Sequence, residues 1–361
     1  MNPVACFSQS YAEARGKFLD ACAAAGLSVQ SHAHPLPGRD GEALALDVAR
    51  QGPADARRLL LVSSACHGVE GFCGSAVQVS LLRDDSWRAG LGEECAVLYL
   101  HAANPYGFSW WRRWTQENVD LNRNFLDFDQ AGPDNPGYAE LDPLLIPRRW
   151  PAPPLNRARL LWYALRHGRK QLQHAVTSGQ NSHPQGLFYV GVAPTWSNRV
   201  VRQVLREHAG QCRELGWIDL HTGLGPRGHG ERIHSGADTD EALARSRAWW
   251  GEAVRSTLEG NSVSVQLSGK MVHAALQECP QARLTSMTLE FGTLPGLQVL
   301  DALRAEQWLE RSAEVPAARA QAIKQQLRDA FYVDADDWKR QVVAQSREAA
   351  RQAWVGLHAA P

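Results

Sequence analysis

A mixed α/β fold, with a mostly parallel central sheet flanked by helices, is what this sequence predicts. Three observations carry that expectation. Short apolar runs alternate with longer stretches of helical periodicity along the chain. The apolar runs are nearly continuous, as "LLLV" (Leu59–Val62) is, which suits strands buried on both faces. A hydrophobic share of 44% with 21% charged residues belongs to a globular chain.

In chain order, "MNPVACFSQSYAEARGKFLDACAAAG" reads as a short amphipathic helix. "RRLLLVSSA" reads as a buried strand, and "GFCGSAVQVSLLRD" as the helix after it. "CAVLYLHAA" is a second strand, ending at "NPYGF". The stretch from about Phe128 to Pro154 is Pro-rich and is expected to be an irregular surface excursion. "NRVVRQVLREHAG" is helical and leads into a third strand, "GWIDLHTG". "TDEALARSRAWWGEAVRSTL" has helical periodicity, and "RLTSMTLEFGT" is a fourth strand. From Pro295 onward the chain reads as helix nearly to its end, broken near Pro316 and near "DADD".

Composition narrows the function classes. Lys plus Arg is 38 and Asp plus Glu is 38, so the formal net charge is zero, and neither nucleic acid nor an anionic membrane is expected as a partner. The basic run "RRWPAPPLNRARLLWYALRHGRK" is interrupted by apolar residues and reads as a solvated helix face. Thirteen Trp against three Met point to a well-filled core or an aromatic-lined cleft. Seven cysteines without a Cys-x-x-Cys pair read as buried thiols in a reducing compartment. The start lacks the order of a signal peptide, and no apolar run is long enough to span a membrane. A soluble, cytoplasmic protein is the expectation.

The four strand-like runs end in chemically loaded residues. The first offers His67 and Glu70, and the second leads to Arg112, Arg113, Asp120, Asn122 and Arg123. The third offers His221, the fourth Glu290. Ligands of open α/β sheets bind outside the carboxyl ends of the strands, so these residues are expected at one edge. Two His and one Glu are a usual catalytic zinc set, which leaves a position for water or substrate. A second carboxylate that is not a ligand then takes the water proton, and Glu290 suits that role. An Arg of the Arg112–Arg113 pair is available for a developing oxyanion. Asn122 and Arg123 offer a fork suited to a substrate carboxylate. Asp219 is placed to orient the His221 ring.

Blander readings compete. A lone His-x-x-Glu is a common surface turn, and His221 alone could be a hydrogen-bonded core histidine. Arg113 could lie on a Trp at the surface, and Arg123 could be an interior ion pair with Asp120. His101, His183, His229, His234 and His273 fit solvent or core roles. The glycines of "HTGLGPRGHG" match no phosphate-binding spacing, and no Gly-x-Ser-x-Gly elbow is present.

Taken together, "HGVEGFCGSA", "NPYGFSWWRR…ENVDLNRNF", "SHPQGLFYVG", "DLHTGLGP" and "LEFGT" resemble the bacterial domain-of-unknown-function family 2817, of the carboxypeptidase A-like zinc metallopeptidase superfamily. The resemblance runs from about residue 5 to the C-terminus. It implies one carboxypeptidase-like domain over 1–361 with a helical C-terminal extension from about 297. It implies zinc held by His67, Glu70 and His221, Glu290 as general base, Arg113 ahead of Arg112 as the carbonyl-polarising residue, and carboxylate recognition by Asn122 and Arg123. Asp120 in "DLNR" resembles the aspartoacylase branch, where it orients the neighbouring Arg. The implied activity is hydrolysis of an amide bond next to a free carboxylate, in a peptide or a small molecule. The alternatives are an N-acyl amino acid deacylase and a non-catalytic zinc- or ligand-binding protein. Carboxypeptidases carry a Tyr shortly before the catalytic Glu; here no Tyr occurs between Tyr189 and Tyr332, so one of those two would have to reach the site.

Overall fold

A computed structural model describes residues 2–92 and 94–359. Seven strands form one sheet in the order β1-β2-β4-β3-β5-β7-β6. They are β1 (Val29–Ala33), β2 (Ala45–Gln51), β3 (Arg58–Ser63), β4 (Cys95–His101), β5 (Glu214–Arg227), β6 (Gly230–His234) and β7 (Arg283–Gly292). β4, β3, β5 and β7 pair in parallel at the centre, while β2 and β6 pair antiparallel with the flanks of that block. The fold class read from sequence, mixed and mostly parallel, is the one present, and all four expected strands are its central four.

Side-chain alternation explains why the central strands are apolar throughout. Leu60 and Val62 of β3, with Val97 and Tyr99 of β4, enter one core layer. Leu59 and Leu61, with Ala96, Leu98 and Leu100, enter the other. The first layer is closed by α1 (Tyr11–Ala24), α2 (Gly71–Leu82), α7 (Asp240–Trp250) and α10 (Asp336–Ala359). The second is closed largely by α6 (Trp196–Ala209). Two indoles pin α10 to the sheet layer: Trp338 Nε1 donates to Gly292 O at 2.9 Å, and Trp250 Nε1 donates to Ala349 O at 3.0 Å.

A third apolar cluster gathers α3 (Pro136–Leu145), α4 (Pro154–His167), α5 (Arg169–Thr177), α8 (Gly296–Glu310) and α9 (Ala317–Phe331). The stretch expected to be irregular therefore holds a helix. Pro136 opens it, Asn135 caps it by accepting from Tyr138 N–H, and Tyr138, Leu141 and Leu145 anchor it. Helical periodicity was also expected to run through residue 258; α7 stops at Trp250. The C-terminal run breaks where it was expected to, before α9 and before α10. All seven cysteines are buried, and among the described residues none is in a disulfide. Among the described residues, no helix is long and apolar enough to cross a membrane.

Candidate metal centre and catalytic cleft

β3 delivers the first two candidate ligands. Past Ser63 the chain turns through Ala65, at φ 56°, and reaches His67, the 3-10 turn Gly68–Glu70 and then α2. Gly68 is required there: a Cβ would stand 2.1 Å from the backbone of Gly107. That close approach joins the turn to the arginine segment, since Gly68 N–H donates to Arg113 O at 3.1 Å and Val69 N–H to Arg112 O at 2.8 Å.

His67 Nδ1 lies 2.8 Å from Glu70 Oε1, and His221 Nδ1 lies 3.0 Å from Glu70 Oε2. Each nitrogen would hold a proton for its own contact, yet the two are only 3.2 Å apart. One divalent cation in place of two protons satisfies all three side chains, so this donor set fits a metal. The outer ring nitrogens support the fit: His67 Nε2 is 3.2 Å from Asp120 Oδ1, and His221 Nε2 is 2.7 Å from Asp219 Oδ2. Asp219 behind the His221 ring turns that ring's inner nitrogen toward the shared point, while the outer nitrogen of His67 faces both Asp120 and Arg113 Nη2, the latter at 2.7 Å. Asp219 is itself held by the Ser63 hydroxyl at 2.6 Å. Cys66, Asp219 and His221 also lie close together, but Asp219 is occupied from both sides and burial pushes the Cys66 thiol far above its ordinary range, which leaves a poor ligand.

Glu70 is buried, which by itself would raise its pKa. His67 and His221 outweigh that and hold the carboxyl well below its usual range. Its oxygens also accept from Thr222 N–H at 3.0 Å and Arg113 Nη1 at 2.9 Å. Burial disfavours charge on His221, but Asp219 and Glu70 hold it protonated well above the ordinary value. A metal would displace that proton.

The arginine pair divides. Arg112 turns to α8, with Nε 2.9 Å from Glu306 Oε1. Arg113 turns to the candidate ligands, with Nε 3.2 Å from Asp120 Oδ2 and Nη2 2.7 Å from His67 Nε2. Asp120 Oδ1 also accepts from Asn122 N–H at 2.9 Å and lies 3.8 Å from Arg123 Nη1. Asp120 thus joins a candidate ligand to both arginines. Its backbone N–H donates to Tyr189 O at 2.8 Å, which gives the "SHPQGLFYVG" stretch a structural part.

Asn122 Oδ1 accepts from Met271 N–H at 2.8 Å. Arg123 donates from Nε at 3.0 Å and from Nη2 at 2.6 Å to Thr177 O, and from Nη1 to Asn122 O at 3.0 Å. The edge expected to grip a carboxylate is therefore on a backbone carbonyl. The interior ion pair with Asp120, the blander reading, is present at 3.8 Å.

Glu290 pairs in register with His221 across the parallel β5–β7 ladder, so the two point to one face. Its Oε1 accepts from Leu224 N–H at 3.0 Å. Burial first, and then the nearby Glu70, raise its pKa to about 7. His67, Glu70, Arg113, Asn122, Arg123, His221 and Glu290 all line one cavity of about 980 Å³. Its other walls are largely apolar, with Leu145, Leu160, Val176, Leu300 and Phe331 among them. Arg157 and Arg169, from the basic run, also face it. Neither tyrosine serves it: Tyr332 is in the core, stacked on Phe7 and Phe72, and Tyr189 is not among the lining residues.

The profile of a family described as "Protein of unknown function (DUF2817)" matches residues 7–345. The chain belongs to that family. Among solved structures, this DUF2817 member is similar to bovine thrombin-activatable fibrinolysis inhibitor in complex with tick carboxypeptidase inhibitor, at 11% identity over 93% of this chain and 98% of that one, with a TM-score of 0.45. It is also similar to the succinylglutamate desuccinylase from Chromobacterium violaceum, at 17% identity over 86% of this chain and 72% of that one, with a TM-score of 0.36. No curated protein matches it.

Several groups that shape the site had no signal in the sequence. Thr222 N–H on Glu70 and Thr177 O on Arg123 are backbone groups, which any residue supplies. Phe188 lies with its ring 5.2 Å from Arg113 Cζ and 5.6 Å from Arg123 Cζ. Lys270 also lines the cavity, and its neighbours in sequence do not mark it.

Proposed function

We propose that this DUF2817 protein is a zinc-dependent hydrolase of amide bonds next to a free carboxylate, working as one domain in a reducing cytoplasm. The observation that carries the reading is the convergence of His67, Glu70 and His221 on one point, with the register-paired Glu290 beside them in the same cavity. When bound by those three residues, zinc lowers the pKa of water and polarises a carbonyl. Glu290 takes the proton of the attacking water and passes it to the leaving amine; its carboxyl is not a ligand and is poised near neutrality. Arg113, fixed at Nε by Asp120, brings a cation to the oxygen on which negative charge grows. The cavity holds a substrate of peptide or acylated amino acid size.

The "DLNR" resemblance, with no tyrosine among the described residues that line the cavity, favours the N-acyl amino acid deacylase as second reading. A non-catalytic binding protein would have no use for Glu290. The test is to load the purified protein with zinc and assay blocked dipeptides and N-acyl amino acids, with chelator and zinc re-addition as controls. Chelator-sensitive release of an amino acid is the expected result. No hydrolysis of either class by the zinc-loaded protein would leave the binding-protein reading standing.

A further inference from the structure

Arg123 is committed to Thr177 O, and among the other cations lining the cavity Arg113 is engaged by Glu70 and Asp120 while Arg157 and Arg169 are exposed, so a substrate carboxylate held beside Asn122 calls for a further, half-buried cation. Lys270 is such a cation. It follows Gly269, at φ +71°, where a Cβ would stand 2.3 Å from Arg123 O. Phe125 N–H donates to Gly269 O at 3.1 Å, and Met271 N–H donates to Asn122 Oδ1 at 2.8 Å. Contacts on both sides of Lys270 thus clamp it to the Asp120–Arg123 turn. A glycine is demanded at 269 because only bare backbone lets the two segments meet.

Lys270 lines the cavity together with Asn122 and Arg123. Among the described residues its ammonium has no hydrogen-bond or ion-pair partner. Burial pushes it below its ordinary pKa, Asp238 draws it back, and Arg123 pushes it further down. A half-buried ammonium that feels the charge of Arg123, with no carboxylate in contact, is costly unless an anion completes it. Asn122 adds a donor: its Oδ1 is used by Met271, and its Nδ2 has no partner among the described residues.

We propose that Lys270 anchors the free carboxylate of the substrate, with Asn122 Nδ2 as its hydrogen-bonding companion and Arg123 as a fixed supporting charge. This rests on the hydrolase reading for its substrate class. Lys270 is a specificity-determining residue: it chooses acids over neutral amides and moves no proton.

The test compares wild type, Lys270→Met and Lys270→Arg on a blocked dipeptide with a free C-terminal carboxylate and on the same peptide as its C-terminal amide. Calorimetric binding is measured for both peptides, and kcat and KM for the zinc-loaded enzyme. Wild type is expected to prefer the acid at least tenfold. Lys270→Met is expected to lose that preference through KM, with kcat and melting temperature held, and Lys270→Arg to restore part of it. Retention of the full preference by Lys270→Met would overturn the assignment, as would a wild type that binds acid and amide alike. If no form hydrolyses either peptide while the binding preference follows Lys270, the hydrolase reading fails and the anchor stands.

Discussion

His221 and Glu290 are partners in the parallel register of β5 and β7, yet their environments drive them apart. The ring, between Asp219 and Glu70, is held in its charged form, while the carboxyl is held near neutrality by burial and by Glu70. The ring, with Asp219 fixed behind it, can bind a cation only once that proton is displaced, and the carboxyl is poised to exchange a proton.

Glu290→Gln is accordingly expected to keep zinc content and melting temperature and to lower turnover by about 10²–10⁴. In the wild type the rate should fall as pH drops through the Glu290 pKa. That value is about 7 without metal and lower with a cation on the neighbouring ligands. A zinc-loaded, stable Glu290→Gln with wild-type turnover would remove this residue from the mechanism.

His67→Ala combined with His221→Ala removes two of the three candidate ligands. Purified protein is expected to go from about one zinc per chain to a trace by elemental analysis. Undiminished zinc in the double variant would end the assignment.

Asp120→Asn and Asp219→Asn keep the ligands and change only the carboxylates behind them. Each is expected to weaken zinc affinity about 10–100-fold in competition with a chromogenic chelator. Equal affinity in both variants would mean that the two rings are oriented by something else.

The acid limb of stability has a separate source. His101 is fully buried, stacked on Phe18 with ring centroids 4.4 Å apart, and its Nε2 is 2.9 Å from Ser75 Oγ. Burial lowers its pKa from 6.5 to about 4, partly offset by Asp47. The unfolded chain takes the proton first as pH falls, so stability is lost between 6.5 and about 4 and is unaffected above that window. The full loss is about 3 kcal/mol, most of it below pH 6. Denaturant melts at pH 7 and pH 5 should show a smaller drop in His101→Gln than in wild type. Parallel drops would assign the acid limb to other groups.

What the sequence made legible has a physical pattern. The central strands could be read because burial on both faces writes itself as unbroken apolar runs, as in Leu59–Val62. β1 and β6 are the sheet's edge strands and need no such run, and β1, "VQSHA", is half exposed along its length; β2, "ALDVARQ", is mostly buried, but the buried Asp47 interrupts its apolar run. The candidate ligands could be read because metal chemistry restricts residue type. The turns that aim them could not. Ala65, Trp111 and Asn118 have φ of 56°, 50° and 63°, and each stands two residues before a site group: His67, Arg113 and Asp120. Left-handed backbone at Ala or Trp costs of order 1–3 kcal/mol and carries no compositional mark. The contacts of Arg123 could not be read for a related reason: its partners include backbone carbonyls, and a carbonyl has no letter in the sequence.

Arg123 therefore separates a direct grip on substrate from a supporting one. If its fork gripped the carboxylate, Arg123→Ala would weaken acid binding and leave the fold intact. The structure gives it other work. Nε and Nη2 both donate to Thr177 O, Nη1 donates to Asn122 O, and the guanidinium lies 3.8 Å from Asp120. Removing it leaves buried carbonyls and part of a buried carboxylate without partners, at a cost of about 3–5 kcal/mol. Arg123→Ala is thus expected to lower the melting temperature by several degrees and to weaken zinc binding through Asp120 and His67. Arg123→Lys should recover little, because an ammonium lacks the planar set of donors that reaches both carbonyls. The measurement is melting temperature, zinc affinity and acid-over-amide preference on the same preparations. An Arg123→Ala protein with wild-type stability and zinc affinity that has lost only the preference would return the direct grip to Arg123.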